Sequence, residues 1–243
     1  MRLDSLLHKM GYFQSRQKAK EAILAHKVCY KNTLLTKPSM IIQPSDTPLD
    51  PTYLEIKAHL VSRAGYKLQD FLTYLSTLNV PLQIAHSTIL DIGSSTGGFA
   101  QVLLESGAKH IVCVDVGNAQ LHPTLRQDSR ISLFENCDIR DFHSTMYFDL
   151  ITCDVSFISL RLILPSILRF RAPYLLLLFK PQFEVGKDAK RNKKGVLQDE
   201  YLIKQNLEQF CALLSQTHTY ILHKSNILGK EGNAEYFILA QLK

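Results

Sequence analysis

From about residue 86, short apolar runs alternate with segments that are apolar on one face only. Five runs are expected to be strands: Thr88–Ile92, His110–Val116, Ile131–Phe134, Phe148–Asp154 and Tyr174–Lys180. Continuous apolar strands are typical of a parallel sheet that is covered on both faces. Helices are expected at about 98–106, 158–170 and 199–214, and a final hairpin at 220–224 and 234–241. The pattern predicts an α/β fold with a Rossmann-like sheet.

The N-terminal part of the chain is more basic than the rest. Residues 1–40 contain eight Lys or Arg and two Asp or Glu, a net charge of +6, whereas the remainder contains twenty of each. Two short helices are expected at 3–11 and about 16–27, followed by a strand at 28–30 and a turn at Lys31-Asn32. Residues 43–51 hold three prolines and two aspartates and are expected to end this small domain. We therefore expect an anion-binding module at 1–60 and a larger, neutral domain at 61–243.

One face of the second expected helix carries Arg16, Lys20 and Lys27. Basic groups on one helix face can contact successive phosphates, which gives salt-sensitive RNA binding, although a solvated surface is the simpler alternative. The two helices, the phrase Arg2-Leu3-Asp4 and the turn after residue 30 resemble the S4 RNA-binding domain, a small α+β fold. The candidate RNA-binding residues are Arg2, Arg16, Lys18, Lys20, Lys27 and, outside this domain, Arg63.

A glycine-rich turn, Asp91-Ile92-Gly93-Ser94-Ser95-Thr96-Gly97-Gly98-Phe99, follows the first strand of the larger domain. Glycines let a backbone approach a ligand closely, and the helix that begins near Gly98 offers free N–H groups. Asp115 ends the next strand, where an acid can accept hydrogen bonds from ribose hydroxyls. The pattern is D-x-G-x-x-x-G-G rather than G-x-G-x-x-G, which favours S-adenosylmethionine (SAM) over NAD. The candidate cofactor-binding residues are Asp91, Gly93, Ser94, Ser95, Thr96, Gly97, Gly98, Phe99, Asp115, Val116, Asp138 and Ile139.

Asp138 leaves two interpretations open. It follows the third expected strand, where it is placed to reach an adenine amino group. It also precedes Ile139 and Phe142, and an aspartate in that position is a good N-cap for a helix.

Four charged residues lie next to apolar segments. Asp154 and Lys180 end adjacent expected strands, Lys67 follows Ser62-Arg63-Ala64-Gly65, and Glu235 opens the last strand. In open α/β sheets the ligand crevice lies at the carboxyl ends of the strands, and a buried charge needs a partner or a function. A structural Lys180–Asp154 ion pair is the simpler alternative. Together, two lysines and two acids suit removal of a proton from a weakly acidic ribose hydroxyl during methyl transfer.

These motifs together resemble the haemolysin A/TlyA family of rRNA 2′-O-methyltransferases, related to the FtsJ group, over nearly the whole chain. The phrases that carry the resemblance are Val61–Leu68, the glycine-rich turn, Asp154–Ser159, Lys180–Glu184 and Glu231–Tyr236. The resemblance implies a class I methyltransferase sheet and a catalytic tetrad of Lys67, Asp154, Lys180 and Glu235. It also implies methylation of cytidine 2′-hydroxyls in ribosomal RNA, which makes ribosomes sensitive to capreomycin-type antibiotics.

Two departures from the family pattern bear on this interpretation. The family linker can carry R-x-W-V, where this chain has Ala58-His59-Leu60-Val61, so the family's linker Arg or Trp is not expected to contribute to cofactor binding here. The chain also resembles the shorter type of the family, which methylates 23S rRNA alone. The expected partner is therefore the 50S subunit or its rRNA; the sequence gives no oligomeric state.

Composition limits the other classes of function. The five cysteines are scattered and form no C-x-x-C pair, so no metal site is expected. Unpaired cysteines of this kind suit a protein of the reducing cytoplasm. No apolar run is long enough to span a bilayer, and the first residues do not read as a secretory signal. The two rival functions are a membrane-active haemolysin and a non-catalytic RNA-binding or assembly factor. The only low-complexity stretch is Lys187 to Lys194, a short basic loop.

Overall fold

A computed structural model of the chain describes residues 1–24, 27–31, 33–42, 49–56, 60–186 and 189–243. Several sequence expectations lie partly outside these ranges. They concern Ala25 and His26 of the second helix, Asn32 of the first turn, residues 43–48, Ala58 and His59 of the linker, and Lys187 of the basic loop. The chain divides into two compact units, Met1–His59 and Leu60–Lys243.

The N-terminal unit is a small α+β fold. Helices α1 (Leu3–Lys9) and α2 (Arg16–Leu24) precede a three-stranded antiparallel sheet with the order β2-β1-β3, whose strands are β1 (Val28–Tyr30), β2 (Thr33–Leu34) and β3 (Leu54–Ile56). The amide of Lys18 donates to the Ser15 hydroxyl at the start of α2. The core is formed by apolar side chains of both helices and the sheet, among them Leu3, Leu7, Ile23 and Val28.

A buried aspartate organises the basic residues of this unit. Asp4 is 1% exposed and accepts hydrogen bonds from the guanidinium groups of Arg2 (2.9 Å) and Arg16 (3.2 Å). The hydrogen bond from Arg2, and then that from Arg16, holds the pKa of the Asp4 carboxyl well below its usual range. A buried carboxylate needs such partners, so the two arginines are held in place by the fold.

The larger unit contains a seven-stranded sheet with the order β6-β5-β4-β7-β8-β10-β9. Five strands are parallel: β4 (Thr88–Ile92), β5 (His110–Val114), β6 (Ile131–Phe134), β7 (Leu150–Cys153) and β8 (Tyr174–Phe179). Strand β10 (Tyr236–Leu242) runs antiparallel between β8 and β9 (His218–Lys224). The α/β class, the Rossmann-like sheet and the final hairpin expected from the sequence are confirmed.

Helices cover both faces of this sheet. They are α3 (Arg63–Ser76), α4 (Gly98–Glu105), α5 (Pro123–Arg126), α6 (Leu160–Leu168), α7 (Pro181–Glu184) and α8 (Glu200–Leu214). Leu68 and Phe71 of α3 belong to the core on one face, while Ile163 of α6 and Phe210 of α8 belong to the core on the other. The Phe71 ring stacks on Phe237 of β10 with 4.5 Å between ring centroids.

Helix α3 is the largest element that our sequence analysis did not identify. Its apolar side chains Leu68, Phe71, Leu72 and Leu75 recur at the three- and four-residue spacing of an amphipathic helix, which is the signal that could have found it. The other expected boundaries in the larger unit differ from the observed ones by at most two residues, because the ends of helices and strands have no sharp sequence signal.

The N-termini of α3 and α4 meet at two glycines. A Cβ at Gly65 would lie 2.9 Å from the carbonyl oxygen of Gly98, and a Cβ at Gly98 would lie 2.8 Å from the backbone nitrogen of Gly65. Only residues without a side chain permit this contact between two backbones. The contact places the start of α3, and therefore Lys67, directly beside the glycine-rich turn.

Among the residues that the structure describes, no helix has both the length and the apolar character needed to cross a bilayer.

We expect Gly97→Ala to lower the free energy of unfolding by about 3 kcal/mol. Gly97 has φ = 92°, where an L-residue costs about 1–2 kcal/mol. A Cβ there would also collide with the Leu121 and Leu125 side chains, and overpacking costs about 1–3 kcal/mol. Urea denaturation measures the change.

The matched control is Gly107→Ala, after the C-terminus of the same helix. Its φ is 89°, and the nearest atom to an added Cβ is 3.4 Å away, so only the backbone cost of about 1–2 kcal/mol is expected. An equal decrease in the two variants would show that crowding at Gly97 is unimportant.

Candidate active site

A cavity of about 550 Å³ opens at the carboxyl ends of β4, β5 and β7. This is the edge of an open α/β sheet at which ligands bind. Three carboxylates lie on its wall, those of Asp115, Asp138 and Asp154. A smaller pocket of about 160 Å³ shares Gly93, Ser95, Asp154 and Ser156 with it and extends to Lys180. The two spaces together give room for a nucleoside-sized ligand and a second group beside it.

Asp115 fixes the glycine-rich turn. One carboxylate oxygen accepts a hydrogen bond from the Ser95 amide (2.7 Å), and the other accepts one from the Gly117 amide (2.7 Å). The Ser95 hydroxyl donates to Gln120 (3.0 Å), which also lines the cavity. Asp115 therefore holds the turn in shape and still faces the cavity, where its remaining lone pairs can accept bonds from ligand hydroxyls.

The glycines of the turn accommodate protein atoms, while Gly93 and Gly98 also line the two spaces. A Cβ at Gly93 would lie 2.8 Å from the carbonyl oxygen of Asp154. Added Cβ atoms at Gly97 and Gly98 would collide with the Leu125 side chain and the Ser62 hydroxyl, respectively. The glycines are needed because helix, strand and loop converge here at backbone distance.

Asp91 is buried behind this turn. One carboxyl oxygen accepts the Thr152 hydroxyl (2.7 Å), and the other has no hydrogen-bond partner among the described residues. Burial, and then the negative charges of Asp154 and Asp115, raise the pKa of Asp91 to about 7. A cation bound in the neighbouring cavity would favour the ionised form of this carboxyl and lower its pKa.

Asp138 lies at the cavity and begins a turn rather than a helix. Its carboxylate lies on the cavity wall and pairs with the Arg140 guanidinium (2.7 Å), and that hydrogen bond lowers the pKa of Asp138. It also accepts from the Arg140 amide (2.9 Å), but a hydrogen-bonded turn begins there, so the helix N-cap interpretation is wrong. Val116 and Ile139, also expected at the cofactor, line the same cavity.

The four expected catalytic residues form two ion pairs. The Lys180 ammonium lies 2.6 Å from Asp154 and donates to the Ser156 hydroxyl (3.0 Å). This pair lies on the wall of the smaller pocket and is only partly buried, with the two side chains 11% and 13% exposed. The simpler alternative, a Lys180–Asp154 ion pair, is therefore present, and it faces the cavity.

The second pair lies deeper. The Lys67 ammonium is 2.6 Å from Glu235, and these side chains are 7% and 3% exposed. Neither residue lines the two spaces described above. The pairs are connected through Gln182, whose amide donates to Glu235 (3.4 Å), and through the pairing of β10 with β8, which sets Tyr236 opposite Phe179.

Glu184 connects the two loops that carry Asp154 and Lys180, and our sequence analysis did not single it out. Its carboxylate accepts the Ser159 hydroxyl (2.6 Å) and the Leu160 amide (2.7 Å) at the start of α6. Burial raises the pKa of Glu184. Glu184 gives a weak sequence signal, because the Leu160 amide that it accepts from lies 24 residues away.

Phe157 is a second residue of the site that the sequence did not point to. It lies at the edge of the larger cavity, its residue is 91% exposed, and its ring centroid is 5.2 Å from that of Phe183. Its φ of 68° is unusual for an aromatic residue. Strain of this kind concentrates at functional sites, and an exposed ring here can stack on a planar group.

The expected RNA-binding residues have different surroundings. Lys18 pairs with Glu21 (3.4 Å), Lys20 is exposed, and Arg63 is exposed at the start of α3. Lys27 does not share a helix face with Arg16 and Lys20, as we expected: α2 ends at Leu24, and Lys27 is 8% exposed. Charge alone did not distinguish an exposed lysine from a packed one.

Comparisons with known proteins give a family match for each of the two units. Residues 60–242 match the family model of FtsJ-like methyltransferases, and residues 1–47 match that of the S4 domain. A Campylobacter jejuni relative, 23S rRNA (cytidine-2′-O)-methyltransferase TlyA, is 48% identical over 210 residues, covering 83% of this chain and 79% of the relative. The Mycobacterium tuberculosis 16S/23S rRNA (cytidine-2′-O)-methyltransferase TlyA is 34% identical over 244 residues, covering 98% and 88%.

Solved structures give the same fold. A candidate hemolysin from Streptococcus thermophilus superimposes with a TM-score of 0.68 at 31% identity, covering 100% of this chain and 88% of that one. The family match extends over most of the chain and includes every residue of the two ion pairs and of the cavity wall. The chain therefore belongs to the FtsJ-like methyltransferase family.

Proposed function

We propose that this chain transfers the methyl group of SAM to the 2′-hydroxyl of a cytidine in ribosomal RNA, with 23S rRNA of the 50S subunit as the substrate. The observation that carries the proposal is the Lys180–Asp154 pair on the wall of a pocket that adjoins the larger cavity. The names of the two TlyA relatives support the substrate class, and the S4 match supports RNA as the partner.

The cavity suits SAM better than a dinucleotide. Its wall carries Asp115 and Asp138, and the buried Asp91 lies behind it with one unpartnered oxygen. Carboxylates attract a sulfonium and an ammonium group and repel a pyrophosphate. Asp115 would bind the ribose hydroxyls, and Val116 and Ile139 would pack against the adenine ring. When bound, SAM supplies an electrophilic methyl group.

The smaller pocket would hold the acceptor ribose. Lys180 is fixed there by Asp154 and Ser156, so its remaining N–H can orient the hydroxyl and stabilise negative charge as it develops on that oxygen. The hydroxyl proton has to leave as the new bond to carbon forms. We assign its acceptance to the Asp154 carboxylate, which lines the same pocket and becomes a neutral carboxyl beside the Lys180 ammonium, 2.6 Å away.

The remaining groups would position this pair. Lys67 and Glu235 anchor the start of β10 against α3, and Glu184 holds the loop of Asp154 against the segment that follows Lys180. Holding the reacting groups in one geometry removes most of the entropic cost of the reaction. Phe157, exposed at the cavity edge, would stack on the target base.

We expect purified protein and methyl-labelled SAM to label 50S subunits at one cytidine 2′-oxygen of 23S rRNA and to leave 30S subunits unlabelled. Primer extension at limiting dNTP concentration maps the position. In the Lys180→Met variant we expect transfer to fall at least 100-fold, because the acceptor loses its orienting group, while SAM affinity stays within about twofold. Lys204→Met, which alters an exposed lysine on α8, is the matched control and should retain wild-type turnover.

Labelling of 30S subunits as well would contradict the restriction to 23S rRNA. Labelling of a base rather than a ribose would contradict the proposed chemistry. SAM binding without transfer to any rRNA would instead favour a non-catalytic RNA-binding protein.

We expect Asp115→Asn to weaken SAM binding at least about 10-fold, measured by calorimetry. Hydrogen bonds to a charged acceptor contribute about 1.5–3 kcal/mol, and the neutral amide loses that charge. Asp128→Asn is the control. Asp128 also accepts a hydrogen bond from the amide two residues later (2.9 Å), but it lies before β6, at the amino-terminal ends of the parallel strands and so away from the cavity. Unchanged affinity in Asp115→Asn would remove this residue from the cofactor site.

SAM affinity should increase several-fold between pH 6 and pH 7.5. The pKa of Asp91 is about 7 in the free protein, so its carboxyl is mostly neutral at pH 6 and mostly ionised at pH 7.5. A cationic ligand binds more tightly to the ionised form, so affinity rises as pH rises through this pKa. The increase should be absent in Asp91→Asn; an equal increase in that variant would assign the pH dependence to another group.

A further inference from the structure

The basic loop that the sequence analysis left without a function forms a short hairpin. Within residues 189–197, which we call the basic hairpin, Lys190, Lys193 and Lys194 are exposed, and there is no acidic residue. Among the described residues, none of these three ammonium groups takes part in an ion pair, unlike Arg2, Arg16 and Lys18 of the N-terminal unit. The hairpin thus concentrates uncompensated positive charge on the methyltransferase unit.

Internal hydrogen bonds define the shape of the basic hairpin. The Asn192 side-chain oxygen accepts from the amides of Lys194 (2.8 Å) and Val196 (3.0 Å), and a bridge joins Arg191 to Leu197. The Arg191 guanidinium donates to the carbonyl of Ala189 (3.0 Å). Arg191 is therefore used to hold the backbone, and the three lysines are the groups presented to solvent.

The basic hairpin is attached to the segments that carry Lys180 and Glu235. Buried Asn233, two residues before Glu235, accepts from the Leu197 amide (2.9 Å) and donates to the Gly195 carbonyl (3.4 Å). Arg191 also donates to the carbonyl of Gln182 (3.4 Å), two residues after Lys180. The position of the lysines is thereby coupled to the active site through two independent contacts.

We propose that the basic hairpin binds the phosphate backbone of the RNA strand that carries the target nucleotide. This proposal rests on the proposed function, since that function requires a strand of RNA to enter the adjacent pocket. Lysines are flexible point charges that suit phosphates and read no base edges, so the hairpin contributes sequence-independent, salt-sensitive affinity. It supplies a second RNA-binding surface, on the methyltransferase unit, in addition to the S4 domain.

The test compares two triple variants that remove the same charge. One carries Lys190→Gln, Lys193→Gln and Lys194→Gln. The other carries Lys109→Gln, Arg171→Gln and Lys243→Gln, three exposed positions next to the ends of β5, β8 and β10 at the opposite edge of the sheet. Binding to transcribed 23S rRNA and to purified 50S subunits is measured without SAM over a range of salt concentrations, and methyl-transfer kinetics are measured separately.

We expect the hairpin variant to bind both RNA probes roughly 10-fold more weakly. The slope of log affinity against log salt should become shallower by up to about 0.7–0.9 for each phosphate that the variant no longer neutralises. Its KM for RNA should rise by a similar factor while kcat and SAM affinity stay within about twofold of wild type. The control variant should match wild type in every measurement.

Equal RNA affinity in the two triple variants would overturn the proposal. A weakening confined to 50S subunits, with 23S rRNA binding intact, would also overturn it and would indicate an acidic ribosomal protein as the partner. A fall in kcat without a change in KM would assign the hairpin a purely structural role. Because binding is measured without SAM, a wild-type protein that transfers no methyl group would refute the proposed function and leave the hairpin proposal testable.

Discussion

A buried ion pair between Lys67 and Glu235 joins the first helix of the methyltransferase unit to its last strand. Removing two charges from water is costly, and loss of either partner would leave the other uncompensated, so each residue requires the other. The pair fixes where β10 begins, and β10 in turn borders β8, the strand that Lys180 directly follows. The position of the proposed catalytic pair therefore depends on a contact between Lys67 and Glu235, which are 168 positions apart in the chain.

The shape of the site also depends on close backbone packing around the glycine-rich turn. The N-termini of α3 and α4 meet at Gly65 and Gly98, where a Cβ on either residue would collide with the backbone of the other. Acidic side chains gather at the neighbouring strand ends, and their negative charges contribute to the raised pKa of Asp91. This negative charge favours a cationic nucleoside ligand, a preference that the glycine pattern alone does not reveal.

The sequence predicted the strands better than it predicted the contacts between side chains. Strands such as Thr88–Ile92 and Ile131–Phe134 were predicted with the correct ends, because parallel strands that are buried on both faces are continuously apolar. The positions of Asp154 and Lys180 at adjacent strand ends followed from the same pattern. Partnerships such as Glu184 with Ser159, or Asp4 with Arg16, depend on tertiary packing and have no local signal. Lys27 shows the same limit, since burial of a lysine cannot be inferred from helical spacing.

The strand order of the larger sheet also bears on how the unit folds. Strand β10 is inserted between β8 and β9, although β9 precedes it in the chain. During synthesis β9 therefore emerges before the strand with which it pairs, and until β10 follows, its backbone groups and the edge of β8 lack their partners. Exposed strand edges of this kind promote aggregation of folding intermediates. During synthesis the active site can therefore be completed only after Glu235 and β10 have emerged, since β10 lies between β8 and β9 in the sheet.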